Sequence, residues 1–128
     1  MTPTDCVRVV AYDVAKNWLR YEGAAIPSSE SLTHAAIYES DPTISAVIHC
    51  HDSVLRRTRL DRVPTTSKAI AYGTPEMAYE IMGLFTVSDV RSRQIFVMAG
   101  HEGGILTFGK NLEDAFAVLI RERKQVLI

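Results

Sequence analysis

The chain has 128 residues, 47% of them apolar and 23% charged, with a formal net charge of −1. That length supports one hydrophobic core and one domain, 1–128, and not two. The near-neutral balance excludes a basic nucleic-acid protein: Arg56-Arg57 is isolated, and Arg121-Glu122-Arg123-Lys124 is interrupted by an acid. No apolar run reaches the roughly 18 residues a membrane-spanning helix needs. Met1-Thr2-Pro3-Thr4-Asp5 lacks both the basic and the apolar region of a signal peptide. Cys6 and Cys50 make no disulfide framework and read as reduced thiols of a cytoplasmic protein, Cys50 as a core filler.

In chain order, Val7-Arg8-Val9-Val10-Ala11-Tyr12 is β-branched and predicts a strand. Trp18-Leu19-Arg20-Tyr21 predicts a second, followed by a turn at Glu22-Gly23. Pro27-Ser28-Ser29-Glu30 signals a helix start, with Ser28 or Ser29 as N-cap and Glu30 in the first turn. That helix carries Leu32, Ala35, Ala36 and Tyr38 at helical spacing and stops before Asp41-Pro42. Residues 46–49 predict a buried strand, 53–58 a short helix leaving it, and 63–67 extended chain or loop. Thr74 caps and Pro75 opens a helix that runs through Met77, Ala78, Ile81 and Met82 to about Phe85. Residues 93–99 and 104–108 predict two strands of an antiparallel hairpin, joined across Gly100-His101-Glu102-Gly103. Asn111 caps a last amphipathic helix, with Leu112, Ala115, Phe116, Val118, Leu119 and Ile120 inward and Glu122, Arg123 and Lys124 in solvent. No repeat or linker interrupts this mixture of strands and helices, which predicts an α/β domain with a sheet covered by helices.

The chemistry is concentrated in Ala46-Val47-Ile48-His49-Cys50-His51-Asp52, an apolar run ending in His-x-His. A strand has a side-chain period of two, so His49 and His51 share a face and Cys50 takes the other. Two imidazoles on one face are half of a metal site, since Zn²⁺ binds His nitrogens at about 2.0–2.1 Å. A pair hydrogen-bonded to backbone or water is the other reading of a bare His-x-His. His101 ends a second buried strand in a Gly-rich corner; if the two strands are neighbours, three imidazoles converge at one edge of the sheet. Glu30 would then add a fourth ligand or a base, while His34, one turn further along the helix, reads as structural. A cupin-type site wants a Glu shortly after the second His, and 52–56 hold none. An amidohydrolase barrel needs a far longer chain.

Taken in order, Pro27-Ser28-Ser29-Glu30, His34-Ala35-Ala36-Ile37-Tyr38 and Ala46-Val47-Ile48-His49-Cys50-His51 resemble the core signature of the class II aldolase/adducin family. Ala71-Tyr72-Gly73-Thr74-Pro75-Glu76-Met77-Ala78 is similar to that family's later helix opening. Val97-Met98-Ala99-Gly100-His101 and Gly109-Lys110-Asn111-Leu112-Glu113-Asp114-Ala115 resemble its third-histidine hairpin and last core helix, and Thr2-Pro3-Thr4-Asp5 its Thr-Pro strand. The resemblance implies a mainly antiparallel sheet flanked by helices, and an activity like that of the fuculose- and rhamnulose-phosphate aldolases. His49, His51 and His101 would hold Zn²⁺ or another divalent metal, and Glu30 would be the carboxylate acid/base. Ser28 and Ser29 would bind a phosphate or carboxylate at a helix N-terminus. Tyr72 is the nearest aromatic hydroxyl in place of the aldolases' tyrosine proton donor, whose segment is shortened here. The Ser-Gly-Asn-type loop of the phosphate clamp has no counterpart in the sequence. Glu102 either adds a carboxylate to the hairpin turn or simply lengthens it.

The implied function is a zinc-dependent aldehyde-lyase, or a related epimerase or dehydratase, acting on a small hydroxy-carbonyl compound through a metal-stabilised enediolate. It would be a homotetramer with no nucleic-acid or membrane partner. The alternative is a non-catalytic module that binds a metal or a sugar, or serves in assembly, on the same fold.

Overall fold

Pro75 fixes the first turn of a helix that Thr74 caps, and Asp52 caps another, so the chain's punctuation sets much of its architecture. The computed structural model describes residues 3–101 and 104–126. Expectations placed on Thr2, Glu102, Gly103 and Ile128 lie outside them.

Pro3–Asp5 forms a single 3₁₀ turn and not the start of a strand, a use that suits proline's fixed φ and missing N–H. Strands β1 (Arg8–Asp13) and β2 (Trp18–Glu22) pair antiparallel as a two-stranded sheet of their own. Helix α1 (Ser31–Ser40) follows, then β3 (Ala46–His51), two residues longer than the sequence suggested. Helix α2 (Ser53–Arg59) starts at Asp52, whose carboxylate accepts from the Leu55 N–H at 3.0 Å. Strand β4 (Thr65–Thr66) is only two residues long. Helix α3 (Pro75–Val87) is capped by Thr74, as predicted, and extends two residues past Phe85. The short helix α4 (Val90–Arg93) was not foreseen; strands β5 (Ile95–Met98) and β6 (Gly104–Gly109) and helix α5 (Leu112–Val126) complete the order.

The main sheet runs β3-β6-β5-β4. β3 pairs with β6 and β6 with β5 antiparallel, whereas β4 runs parallel to β5, so the sheet is mixed. Period-two alternation gives it two buried faces. Phe96, Met98, Leu106 and Phe108 meet Ala36, Ile37, Met77, Ala78 and Ile81 of α1 and α3 on one. Ile95, Val97 and Ile105 meet Leu55 of α2 and Val118 of α5 on the other, with Cys50 packed against them. β5 and β6 are therefore buried throughout and apolar except for Thr107, whose hydroxyl donates to the Ala115 carbonyl at 2.9 Å.

Helix α5 departs from its expected orientation. Ala115, Val118 and Glu122 point inward, whereas Leu112, Phe116 and Ile120 are exposed. At 100° per residue no single face could bury all the apolar residues of this helix. The inward position of Glu122 is stabilised by Arg59 of α2, whose Nε lies 2.7 Å from its Oε2. Arg123, also expected in solvent, pairs with Asp52 at 2.9 Å.

Candidate metal centre

On the α1/α3 face of the sheet, β3 presents Val47, His49 and His51, and the β6 residues opposite them are Phe108, Leu106 and Gly104. Partner side chains shrink from phenylalanine to leucine to nothing along that row. The space they vacate at the C-terminal end of β3 is filled by imidazoles. His101 reaches it from the β5–β6 connection and lies over Gly104; a Cβ there would be 2.7 Å from its Cδ2. Glycine at 104 is thus what lets the third ring in.

The three rings converge. Their centroids are 5.0 Å apart for His49–His51, 4.6 Å for His51–His101 and 5.4 Å for His49–His101. One nitrogen from each lies within 4.8 Å of the others, a spacing that side-chain rotation can close onto a single ion. Burial lowers the pKa of His49 to about 4, and the neighbouring charges of His51, His101 and His34 push the same way. Burial also lowers that of His101, against an upward pull from Glu30. These two imidazoles are neutral at pH 7, the form that offers a lone pair to a metal.

Glu30 is only 2% exposed, yet neither carboxylate oxygen has a hydrogen-bond partner, and His49 Nε2 is likewise buried and unpartnered. Buried polar atoms are normally satisfied, and these unpartnered donors and acceptors fit the surroundings of a cation. The donor set fits a divalent metal held by three imidazoles, with a carboxylate beside it.

Glu30 is held by the entry to α1, but not as expected. It occupies the N-cap position itself and makes no side-chain capping bond, because its carboxyl turns inward. Neither serine caps the helix: Ser28 instead builds the preceding turn. Its Oγ accepts from the Glu30 N–H at 3.0 Å, and its carbonyl accepts from the N–H and hydroxyl of Ser31 at 3.0 and 2.7 Å. Ser28 and Ser29 are exposed. Ser28 also borders a cleft of about 680 Å³ between the β1–β2 hairpin and α1, shared with Tyr12, His34 and Tyr38. His34 belongs to that cleft and not to the triad, and burial lowers its pKa.

The loop 67–74 forms the outer wall. Tyr72 stacks on His101 with centroids 4.1 Å apart and planes tilted by 37°. Gly73 adopts φ +72°, a left-handed conformation that glycine takes without strain, and a Cβ there would meet the Ser29 carbonyl at 3.4 Å. Arg56, on α2, escaped the sequence reading. Its Nη2 donates to the Ala99 carbonyl at 2.8 Å and its Nε to that of Met98 at 3.4 Å, clamping the chain just before His101. An arginine seven residues after His49 carries no signal of its own; only the fold brings it back beneath β5.

The family model of the Class II Aldolase and Adducin N-terminal domain matches residues 1–122. The chain belongs to this family. No curated protein sequence matches it. The mixed α/β architecture accords with a class II aldolase domain, and the three histidines that converge here form a cluster able to hold a metal ion. Among the described residues, no helix is long and apolar enough to cross a membrane.

Proposed function

We propose that this class II aldolase domain, 1–128, is a zinc-dependent lyase that cleaves or forms a C–C bond in a small, sugar-like hydroxy-carbonyl compound. The observation that carries the reading is the convergence of three imidazoles able to hold a metal, with the buried, unpartnered carboxylate of Glu30 close enough to act on His101. His49, His51 and His101 would hold the ion. A metal bound there would supply the positive charge that stabilises an enediolate.

Retro-aldol cleavage moves two protons besides the electron pair of the breaking bond. The hydroxyl of the departing aldehyde fragment loses its proton as that pair passes into the enediolate, whose carbon then gains one. Glu30 is assigned the carbon-bound proton, because a buried carboxylate beside the imidazoles can deliver it from inside the site. Tyr72, on the solvent side of His101, is assigned the hydroxyl proton. Ser28 and Ser29 would bind an anionic or hydroxylated end of the substrate through their exposed hydroxyls. A phosphorylated substrate would make the protein similar to the fuculose- and rhamnulose-phosphate aldolases. Epimerase and dehydratase chemistry would use the same enediolate. We place the protein in the cytoplasm, as a homotetramer acting on a small molecule and on neither nucleic acid nor membrane.

The test is retro-aldol turnover of the Zn²⁺-loaded protein on a panel of ketoses and hydroxy acids, with metal content measured alongside. Glu30→Gln should keep its metal and lose roughly 10²–10⁴ in rate, the usual contribution of a general acid–base. Metal retained with no turnover on any substrate would favour the non-catalytic module, a reading the adducin branch of the family description keeps open. Unchanged turnover in Glu30→Gln would overturn the assignment of Glu30.

A further inference from the structure

Helix α5 lies on the sheet face opposite the histidines, and among the described residues nothing packs against its outer side. Phe116 is 53% and Ile120 37% exposed, one turn apart. Ala117 lies between them, and Glu113, Arg121 and Lys124 complete the rim of a shallow groove along the helix. Such a stripe of apolar residues, with charges at both ends, is what a helix shows when another helix packs against it.

The order of the charges selects the occupant. Glu113 stands in the first turn and Lys124 in the last, so the stripe is acidic at its start and basic at its end. We propose that this face pairs with the same face of a second copy, the two α5 helices running antiparallel about a two-fold axis. Antiparallel pairing sets Glu113 of each copy against Lys124 of the other. It also lays Ala117 against Ile120, and the Phe116 ring against the stem and guanidinium of Arg121. The small alanine lets the helices approach at the centre, and cation–π contact suits the phenylalanine–arginine pair. A parallel arrangement would instead put Glu113 against Glu113 and Lys124 against Lys124. An isologous contact needs a self-complementary patch, and α5 carries one. The helix dipoles are also opposed in this arrangement.

This contact deepens the homo-oligomer part of the function proposed above, and the two fail separately. The experiment is sedimentation velocity of the full chain over a range of concentrations, with metal content measured on the same samples. The wild type should show a concentration-dependent species of at least twice the 14.2 kDa chain. Glu113→Lys and Lys124→Glu, each of which creates like-charge pairs, should weaken association by about tenfold or more. The double exchange Glu113→Lys/Lys124→Glu should restore it, since swapping both ends preserves complementarity. Ile120→Glu should abolish it. All these positions are exposed, so circular dichroism and zinc content should stay as in the wild type. A chain that is monomeric at every concentration overturns the proposal. So does association that survives all the single variants unchanged; in that case the tetramer would stand on other surfaces. A dimer that responds to the charge exchange but never reaches a tetramer would confirm the α5 contact and overturn the tetramer.

Discussion

Glu30 is the residue whose placement runs most against ordinary stability. A carboxylate 2% exposed with no partner on either oxygen costs free energy, unless the group is protonated or a cation sits beside it. The metal-free protein should therefore be relieved by an apolar side chain of similar length. Glu30→Met is expected to gain about 1–3 kcal/mol in urea unfolding with chelator present. In saturating Zn²⁺ the gain should vanish or reverse, because the wild-type carboxylate then has its counter-charge. A loss of stability in chelator would mean that Glu30 is already satisfied within the protein. The carboxylate could be singled out from the sequence by its place just ahead of a helix, but its inward turn could not. His49 and His51 were legible as a pair because the period of a strand is a local property. The shrinking row Phe108, Leu106, Gly104 that makes room for them belongs to β6, more than fifty residues away, and needs the register to be seen.

Among the elements, those with long hydrophobic runs or strong caps were legible: α3 from Thr74-Pro75, and β5 and β6 from their apolar runs. What escaped was short or set by distant partners. β4 has two residues and exists because it pairs with β5, and α4 has four. The inward side of α5 turned on Glu122 finding Arg59 across sixty-three positions, which no window on the sequence contains. Two predictions belong to this scale. The β1–β2 hairpin is tied to α1 by Tyr12, whose hydroxyl donates to Glu39 Oε1 at 2.6 Å. That bond, with burial and the Glu39 charge, pushes the phenol pKa up to about 12 from its ordinary 10.0. The folded state thus favours the neutral phenol, so the bond's contribution is full below pH 10 and lost as pH rises from about 10 to 12. Tyr12→Phe should remove this alkaline limb from a stability–pH profile and delete one late-titrating tyrosinate from the absorbance at 295 nm.

Arg56 makes the second prediction, as a positioning residue acting through the β5–β6 connection. Its two bonds to the carbonyls of Ala99 and Met98 fix the chain from which His101 projects. Arg56→Ala should weaken Zn²⁺ affinity by about tenfold, the low end of what outer-shell partners of a metal site contribute. Arg56→Lys should recover part of it. The discriminating measurement is metal affinity set against metal-free stability: a purely structural arginine would lower the second and spare the first.

At the scale of the whole molecule, the site is stitched from segments far apart in sequence: the start of α1, the end of β3, the loop before α3 and the β5–β6 connection. None holds the others in the unfolded chain, so an ion bound by His49, His51 and His101 binds the folded state almost alone. Linkage then makes metal affinity a global stability term, worth about 2.7 kcal/mol when free ion exceeds the dissociation constant a hundredfold. For a domain of this size that raises the unfolding midpoint by about 10 °C. Calorimetry in chelator and in buffered Zn²⁺ should show that shift in the wild type. It should be largely lost in His101→Ala, which leaves both faces of the apolar core as they are. The increment should also reach the slowest-exchanging amides of β5 and β6, since those open only when the whole domain does. An identical midpoint with and without zinc would mean that the three rings never close on an ion, and the chemistry assigned to Glu30 would lose its centre.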